Sequence, residues 1–366
     1  MMRYGDGAIA YNPDNDSVFV SGHNTDNCPI AEFAIPATLS TSLTLSNLPI
    51  ASALQGMVQV QTRGTGLKSG QVYQVKISGL YYNNGRLLVS VYGQYAQDLS
   101  FDSQFLVFRD SDNLATSLVD GWMLSPYPMA AAGSLTPIPA SLQTALGGTH
   151  ITGLSNSTNR ASTVSLSSGP SAFAVNPDDI LANSATIGNG SVSIQELQYY
   201  PLFGVLAPDE NHLYNDDNGG AAGGNVLDPP SMWTHLCEIG ATVILPGTSS
   251  YLCIGGYGGY LSGMWYGSAP GLEQGHHPND LNDFRPFYWI TSTDDLAEVK
   301  AGTKTLDQVI PNEYGQLTMP FFGNEFNKIG GIAVDEAGDR MFITLRDVDD
   351  SQGDGMPPIV LVYRLS

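Results

Sequence analysis

One short unit recurs along the chain and constrains its fold more than any other feature. The stretch from Gly7 to Val20 (GAIAYNPDNDSVFV) aligns without a gap on Gly330 to Ile343 (GGIAVDEAGDRMFI). Each is an apolar run, a tight Asn/Asp/Gly-rich turn and a second apolar run, which reads as a β-hairpin. A polar loop and a third alternating run follow in both cases, at Ile30 to Pro36 and at Ile359 to Leu365.

The hairpin returns between the two ends. Ile77 to Val89 (ISGLYYNNGRLLV) is a strong copy, with Ser103 to Arg109 as its third strand. Gly240 to Ile254 (GATVILPGTSSYLCI) is another, followed by Arg285 to Ile290. A weaker copy, with a polar insertion, runs from Ile151 to Ser155 and from Pro170 to Val175. The lead glycines fall at 7, 79, 153, 240 and 330, so the spacings are 72, 74, 87 and 90. Fourth strands are readable at Met57 to Thr62, Gly121 to Leu124 and Gln316 to Pro320.

Five evenly spaced meanders imply radial repetition. On these hairpins the chain resembles β-propeller proteins, a resemblance of architecture that names no activity. The spacing predicts an all-β, single-domain, five-bladed β-propeller of four-stranded blades, with six or seven blades if 36–75 or 176–235 holds another unit, and a β-sandwich as the alternative. The blades fall approximately at 5–65, 75–125, 150–235, 238–320 and 329–366. The last runs out of chain after its third strand. Its fourth is expected from Met1 to Tyr4 or from a neighbouring chain, because an unpaired apolar edge invites aggregation. Helix signals are few: Thr293 to Lys300, with Thr293 as N-cap, and Ala140 to Leu146 ahead of Gly147.

Composition removes several classes. Only 13% of residues are charged, which excludes a coiled coil. The 13 Phe, 18 Tyr and 4 Trp are enough for a core and exclude a disordered chain. A net charge of -21 repels phosphate backbones and anionic lipid, so neither nucleic acid nor membrane insertion is expected. No apolar stretch is long enough to span a bilayer. The first residues carry no visible signal peptide, which fits export by another route, such as lysis for a virion protein. Cys28, Cys237 and Cys253 form no disulfide framework. Cys253 counts back to Thr242 across the 246–249 turn, so three free thiols are expected.

In a propeller, the loops before strand one and between strands two and three share a face. Here the second-to-third loops are long, at about 21–29, 92–102, 176–194, 255–284 and 346–357, whereas the opposite turns are short. Added loop length marks the functional face. His23, His150, His235, His277 and Arg346 all fall in loops of that class and are expected to converge, with Asp283 beside them. Such a rim can abstract a proton beside a uronate or, through paired carboxylates, hydrolyse a glycosidic bond. Tyr257, Tyr260, Trp265 and Tyr266, interleaved with glycines, suit stacking on sugar rings. Asp347, Asp349 and Asp354 alternate with small residues and are candidate Ca²⁺ ligands, without the closing Glu of an EF-hand. No cofactor is otherwise required.

Two functions follow. The first is an extracellular, cell-surface or virion structural protein that contacts a glycan or protein partner through its loop face, with homo-oligomer or virion assembly as a further partner. The alternative is a glycan-active enzyme, a polysaccharide lyase or glycoside hydrolase, working at the same rim.

Overall fold

The computed structural model describes residues 7–23, 28–60, 63, 75–93, 105–123, 125–127, 130–154, 167, 169–183, 192–200, 232–233, 236–269, 272–322, 328–335, 337–352 and 356–365. Five antiparallel sheets follow one another in chain order. The first holds β1 (Ile9–Asn12), β2 (Ser17–Ser21), β3 (Pro29–Ala34) and β4 (Ala53–Gln59), adjacent in that order. The second holds β5 (Val75–Asn83), β6 (Arg86–Gly93), β7 (Phe105–Phe108) and β8 (Val119–Met123). The third holds β9 (Thr136–Pro137), β10 (His150–Thr152), β11 (Ala172–Val175) and β12 (Gln195–Gln198). The fourth is built from β13 (Glu238–Ile244), β14 (Ser250–Gly258), β17 (Phe284–Ser292) and β18 (Glu313–Gln316). Between β14 and β17 stands a separate hairpin, β15 (Met264–Ala269) with β16 (Leu272–Pro278). The fifth sheet has three strands among the described residues, β19 (Lys328–Asp335), β20 (Arg340–Arg346) and β21 (Ile359–Arg364). Met1 to Tyr4, the expected closing strand, lie outside the described residues.

Apolar clusters join each sheet to the next and the last to the first. Phe19 and Ile30 meet Leu80 and Val89 between sheets one and two. Phe105 and Val107 meet Val175 and Ile180 between two and three. Tyr200 and Ile151 meet Trp289 and Phe287 between three and four. Val243 and Ile254 meet Ile332 and Leu345 between four and five, and Phe342 and Ala333 meet Ile9 and Val18 between five and one. Five joints in a closed cycle make the molecule a five-bladed β-propeller. The β-sandwich alternative fails, because a sandwich has one core between two sheets.

The turns follow from local chemistry. Asn84 and Gly85 take φ of 49° and 77°, as a two-residue hairpin turn requires. Asp16 and Asp339 take φ of 46° and 51° in the first and last hairpins. The register between β13 and β14 places Thr242 opposite Cys253, and all three thiols are free and buried.

The third blade begins earlier than its sequence copy indicated. Its innermost strand is β9, and the 150–155 segment supplies the second strand, β10. No tight turn connects them. Instead α1 (Ala140–Leu146) fills the connection and ends on Gly147 at φ 85°. The innermost glycine of this blade is therefore Gly133, not Gly153. A further helix, α2 (Pro177–Asn183), follows β11. The third, α3 (Thr293–Lys300), is capped one residue earlier than the sequence suggests. Ser292 is the N-cap, its side chain accepting from the Asp294 N–H.

Around the axis the innermost strands approach so closely that side chains cannot intervene. A Cβ on Gly79 would lie 2.2 Å from the Gly133 carbonyl oxygen, and one on Gly240 would lie 2.1 Å from that of Ile329. Gly79→Ala is therefore expected to destabilise the fold by ~1–3 kcal/mol, the usual range for overpacking. Gly56→Ala, where nothing lies within 4 Å, is the control and should not lower stability. Denaturant midpoints of the two variants check this.

Candidate functional site at one end of the ring axis

Charged groups from three blades gather where innermost strands begin and second strands end. Lys328 opens β19 and pairs with Arg346 across the ladder to β20. Two cations directly opposite each other would repel, and acids from neighbouring positions answer them. Lys328 Nζ lies 3.1 Å from Glu238 Oε2, at the start of β13 in the next blade. Asp347 follows Arg346, and His23 stands two residues beyond the end of β2 in the first blade.

Arg346 is only 6% exposed. Its stem lies over the first blade, where a Cβ on Gly7 would meet Arg346 Cγ at 2.9 Å. Asp347 takes a left-handed φ of 56°, uncommon for a residue with a side chain and often stored at working sites. Burial lifts its carboxyl above the usual range. The charges of Arg346, Lys328 and His23 pull it back only in part, and Glu238 adds to the lift. The arrangement sets a carboxyl lifted by burial beside a carboxylate paired with lysine, among further cations.

The β15–β16 hairpin rises from the same face, since it interrupts the connection between the second and third strands of its blade. Trp265 pairs in register with His277, and Tyr266 with His276. The side chains of Trp265 and Tyr266 lie outside the described residues, as do His235 and Asp354.

Asp283 and Asp349, both expected site residues, have other work. Asp283, read as catalytic, is 2% exposed and holds the turn that launches the hairpin. Its Oδ2 accepts the Leu261 and Ser262 N–H groups, each at 2.7 Å, and its Oδ1 accepts Arg285 Nε at 2.8 Å. Burial alone would raise this carboxyl. Arg285 and the two backbone donors outweigh that and hold it below the usual range. Asp349 accepts the N–H and hydroxyl of Ser351 and so caps a short helical turn. Among the described residues no three His, Cys, Asp or Glu side chains gather as metal ligands.

His150 lies on the opposite face from His23 and Arg346. Because β10 is a second strand, its first residue sits at the end of the ring that carries α1 and the hairpin turns. There His150 packs edge-on against Tyr81 at 4.7 Å, and burial pushes its imidazole down to about 4, with nearby Asp178 offsetting part of the shift. The residue is a neutral packing group rather than part of the rim.

The aromatic platform is also corrected. The Gly/Tyr-rich segment continues β14 as far as Gly258, and strand alternation turns Tyr257 inward to 1% exposure. Tyr260 is half-buried, edge-on to Tyr257 at 5.1 Å and tilted against Phe287 at 5.0 Å. Glu238 was missed from the sequence. The signal was available, because it opens an innermost strand just as Lys328 does.

No protein-family model matches the chain, and no curated protein is significantly similar to it. Among solved structures, an endo-arabinase from Bacteroides thetaiotaomicron VPI-5482 is similar over 100% of this chain and 95% of its own, at 9% identity and a TM-score of 0.40. A bifunctional GH43-CE protein of Bacteroides eggerthii is similar over 99% of this chain and 44% of its own, at 12% identity and a TM-score of 0.27. At these values the likeness carries no argument about activity.

Two measurements check these roles. Asp283→Asn should cost about 1.5–3 kcal/mol at neutral pH, the range for hydrogen bonds to a charged group. A carboxyl held low in the fold stabilises above its unfolded value near ~3.9 and loses that contribution as pH falls through the folded value. The gap to the variant should therefore close in acid. His150 has the opposite charge type. A base held neutral by the fold costs stability once the unfolded chain takes up its proton, from about pH 6.5 down to about 4. Comparing denaturation of His150→Gln with the parent across that window should show the variant losing less stability, by at most ~3 kcal/mol.

Proposed function

We propose that the protein is a glycan-active enzyme that binds a saccharide across the face bearing Asp347, Glu238, Lys328, Arg346 and His23 and cleaves a glycosidic bond there. One observation supports this reading: three blades bring a carboxyl lifted by burial, a second carboxylate and three basic side chains to one end of the ring axis. Glycoside cleavage needs a carboxylic acid to protonate the leaving oxygen, and a carboxylate to act as base or nucleophile. Asp347 fits the first role, because its environment keeps the acid form above the ordinary carboxylate range. Glu238 fits the second, because Lys328 Nζ pairs with its Oε2 at 3.1 Å and leaves the carboxylate at the same end of the axis. Arg346 and His23 are suited to hold hydroxyl or carboxylate oxygens of the sugar. Tyr260, half-buried at the foot of the adjoining hairpin, would offer a ring for stacking on the sugar. A polysaccharide substrate would suit work outside the cell, on a cell surface or on a virion.

The test is incubation with neutral and acidic polysaccharides, scored for new reducing ends and for unsaturated products. Asp347→Asn and Glu238→Gln should each lower kcat about 100-fold or more with unchanged circular dichroism. Parent activity should fall as pH rises through the lifted value of Asp347, since the acid form is the working one. Saccharide binding without product would leave the non-catalytic surface protein as the function. Neither binding nor product from any polysaccharide would overturn the glycan reading.

A further inference from the structure

An uncharged apolar arm stands on the rim of the first blade. From Phe33 to Thr62 the sequence has no Asp, Glu, Lys or Arg, in a chain of net charge -21. This run holds β3's end, the β3–β4 connection and all of β4. Among the described residues, nine large hydrophobic side chains are exposed, and five belong to it: Leu39, Leu43, Ile50, Leu54 and Met57, at 47%, 76%, 79%, 51% and 37%.

The arm is held in shape rather than left loose. Leu45 and Leu48 pack into the apolar cluster between the fourth and fifth blades. The Ala34 N–H donates to the Ser52 carbonyl and closes its base, while Ser42 Oγ accepts from Thr44 N–H and Asn47 Nδ2. Leu39, Leu43 and Ile50 are therefore presented outward by a segment whose Leu45 and Leu48 are fixed to the ring. Apolar patches of several hundred Å² on a soluble protein mark contact surfaces.

We propose that this arm is the interface of a homodimer, with two copies meeting arm to arm about a two-fold axis. Charge selects this occupant. Two copies at -21 repel wherever their acidic surfaces approach, and a surface with no charge is where the repulsion is least. A two-fold contact places the same patch on both sides, so an uncharged apolar patch is complementary to itself. A charged partner would instead select basic residues on the arm, and the arm has none. The leucines supply the apolar centre, and the exposed Ser, Thr and Ala between them extend the area toward the ~800 Å² per copy of a stable interface.

Sedimentation over low to high micromolar concentration tests the proposal. The parent should reach dimer mass, and added salt should strengthen the association by screening the net charge. The variant Leu43→Asp with Ile50→Asp should remain monomeric and keep its melting temperature, since both side chains are exposed. The milder Leu43→Ser with Ile50→Ser should weaken association at least tenfold with the fold intact. A parent that stays monomeric in high salt, or variants that associate as the parent does, would overturn the proposal. Monomeric parent with the arm shielded by a different protein would assign the arm to that partner.

Discussion

Everything in this molecule depends on how closely five backbone strands meet around one axis. The clusters between blades supply the apolar burial, but they close into a ring only if the innermost strands can touch. At the last joint, the Thr344 hydroxyl donates to the Gly7 carbonyl, and Gly330 lies directly against Gly7. Further out on the same joint, Arg340 pairs with Asp16 and with Asp335, each at 2.7 Å, and lies over the Tyr11 ring. The space left by missing side chains at 7 and 330 is filled by the stem of Arg346. The constraint that closes the ring thus buries a cation at one end of the axis, and that cation is central to the candidate site.

The sequence displayed what short-range chemistry encodes. Asn84-Gly85, Asp16, Gly247 and Asp339 announce their turns because few residues tolerate a positive φ, and four blades are legible from those turns alone. The third blade was misread for the same reason. Its first connection is a helix, its innermost strand is two residues long, and Gly153 imitates a lead glycine while packing against Ser171 and Tyr251. A shift by one strand reverses chain direction, which carried His150 to the other face. In 255–284 the alternation of Gly and Tyr resembles flexible loop. A strand with tyrosine on its inward positions has the same pattern, and the neighbouring β17 supplied the pairing that decided it.

Residue type could not separate structural from working carboxylates here. The chain has 26 Asp, and among the described residues several of them satisfy backbone donors at turns. Asp110 accepts the N–H groups of Asp112 and Asn113, and Asp280 accepts that of Asn282. Glu32, 1% exposed, accepts from Asn12, Asn15, Ser17 and Gln55 and knits its blade together. Asp283 belongs with these. Donors converging on an oxygen favour the ionised form, whereas Asp347 is governed by burial and shifts the other way. What separates the two groups is the surroundings of each oxygen, which arise only when distant blades come together.

Charge is distributed so that each part of the surface admits a different neighbour. The acidic exterior opposes approach by polyanions at long range, an effect that salt reduces. Basic side chains at the end of the ring axis meet this background at short range only, where Lys328 and Arg346 are already engaged with blade backbone and acids. On the proposed reading, a neutral sugar would feel little of the outer field and would be recognised through short-range hydrogen bonds and ring contacts. An acidic sugar must cross the repulsive exterior before the basic groups can favour it. The arm on the first blade stands outside both regimes, being uncharged and apolar. The charged end of the axis and the uncharged arm are therefore separate surfaces, and the ring holds them in fixed relation because its blades share one continuous cycle of apolar joints.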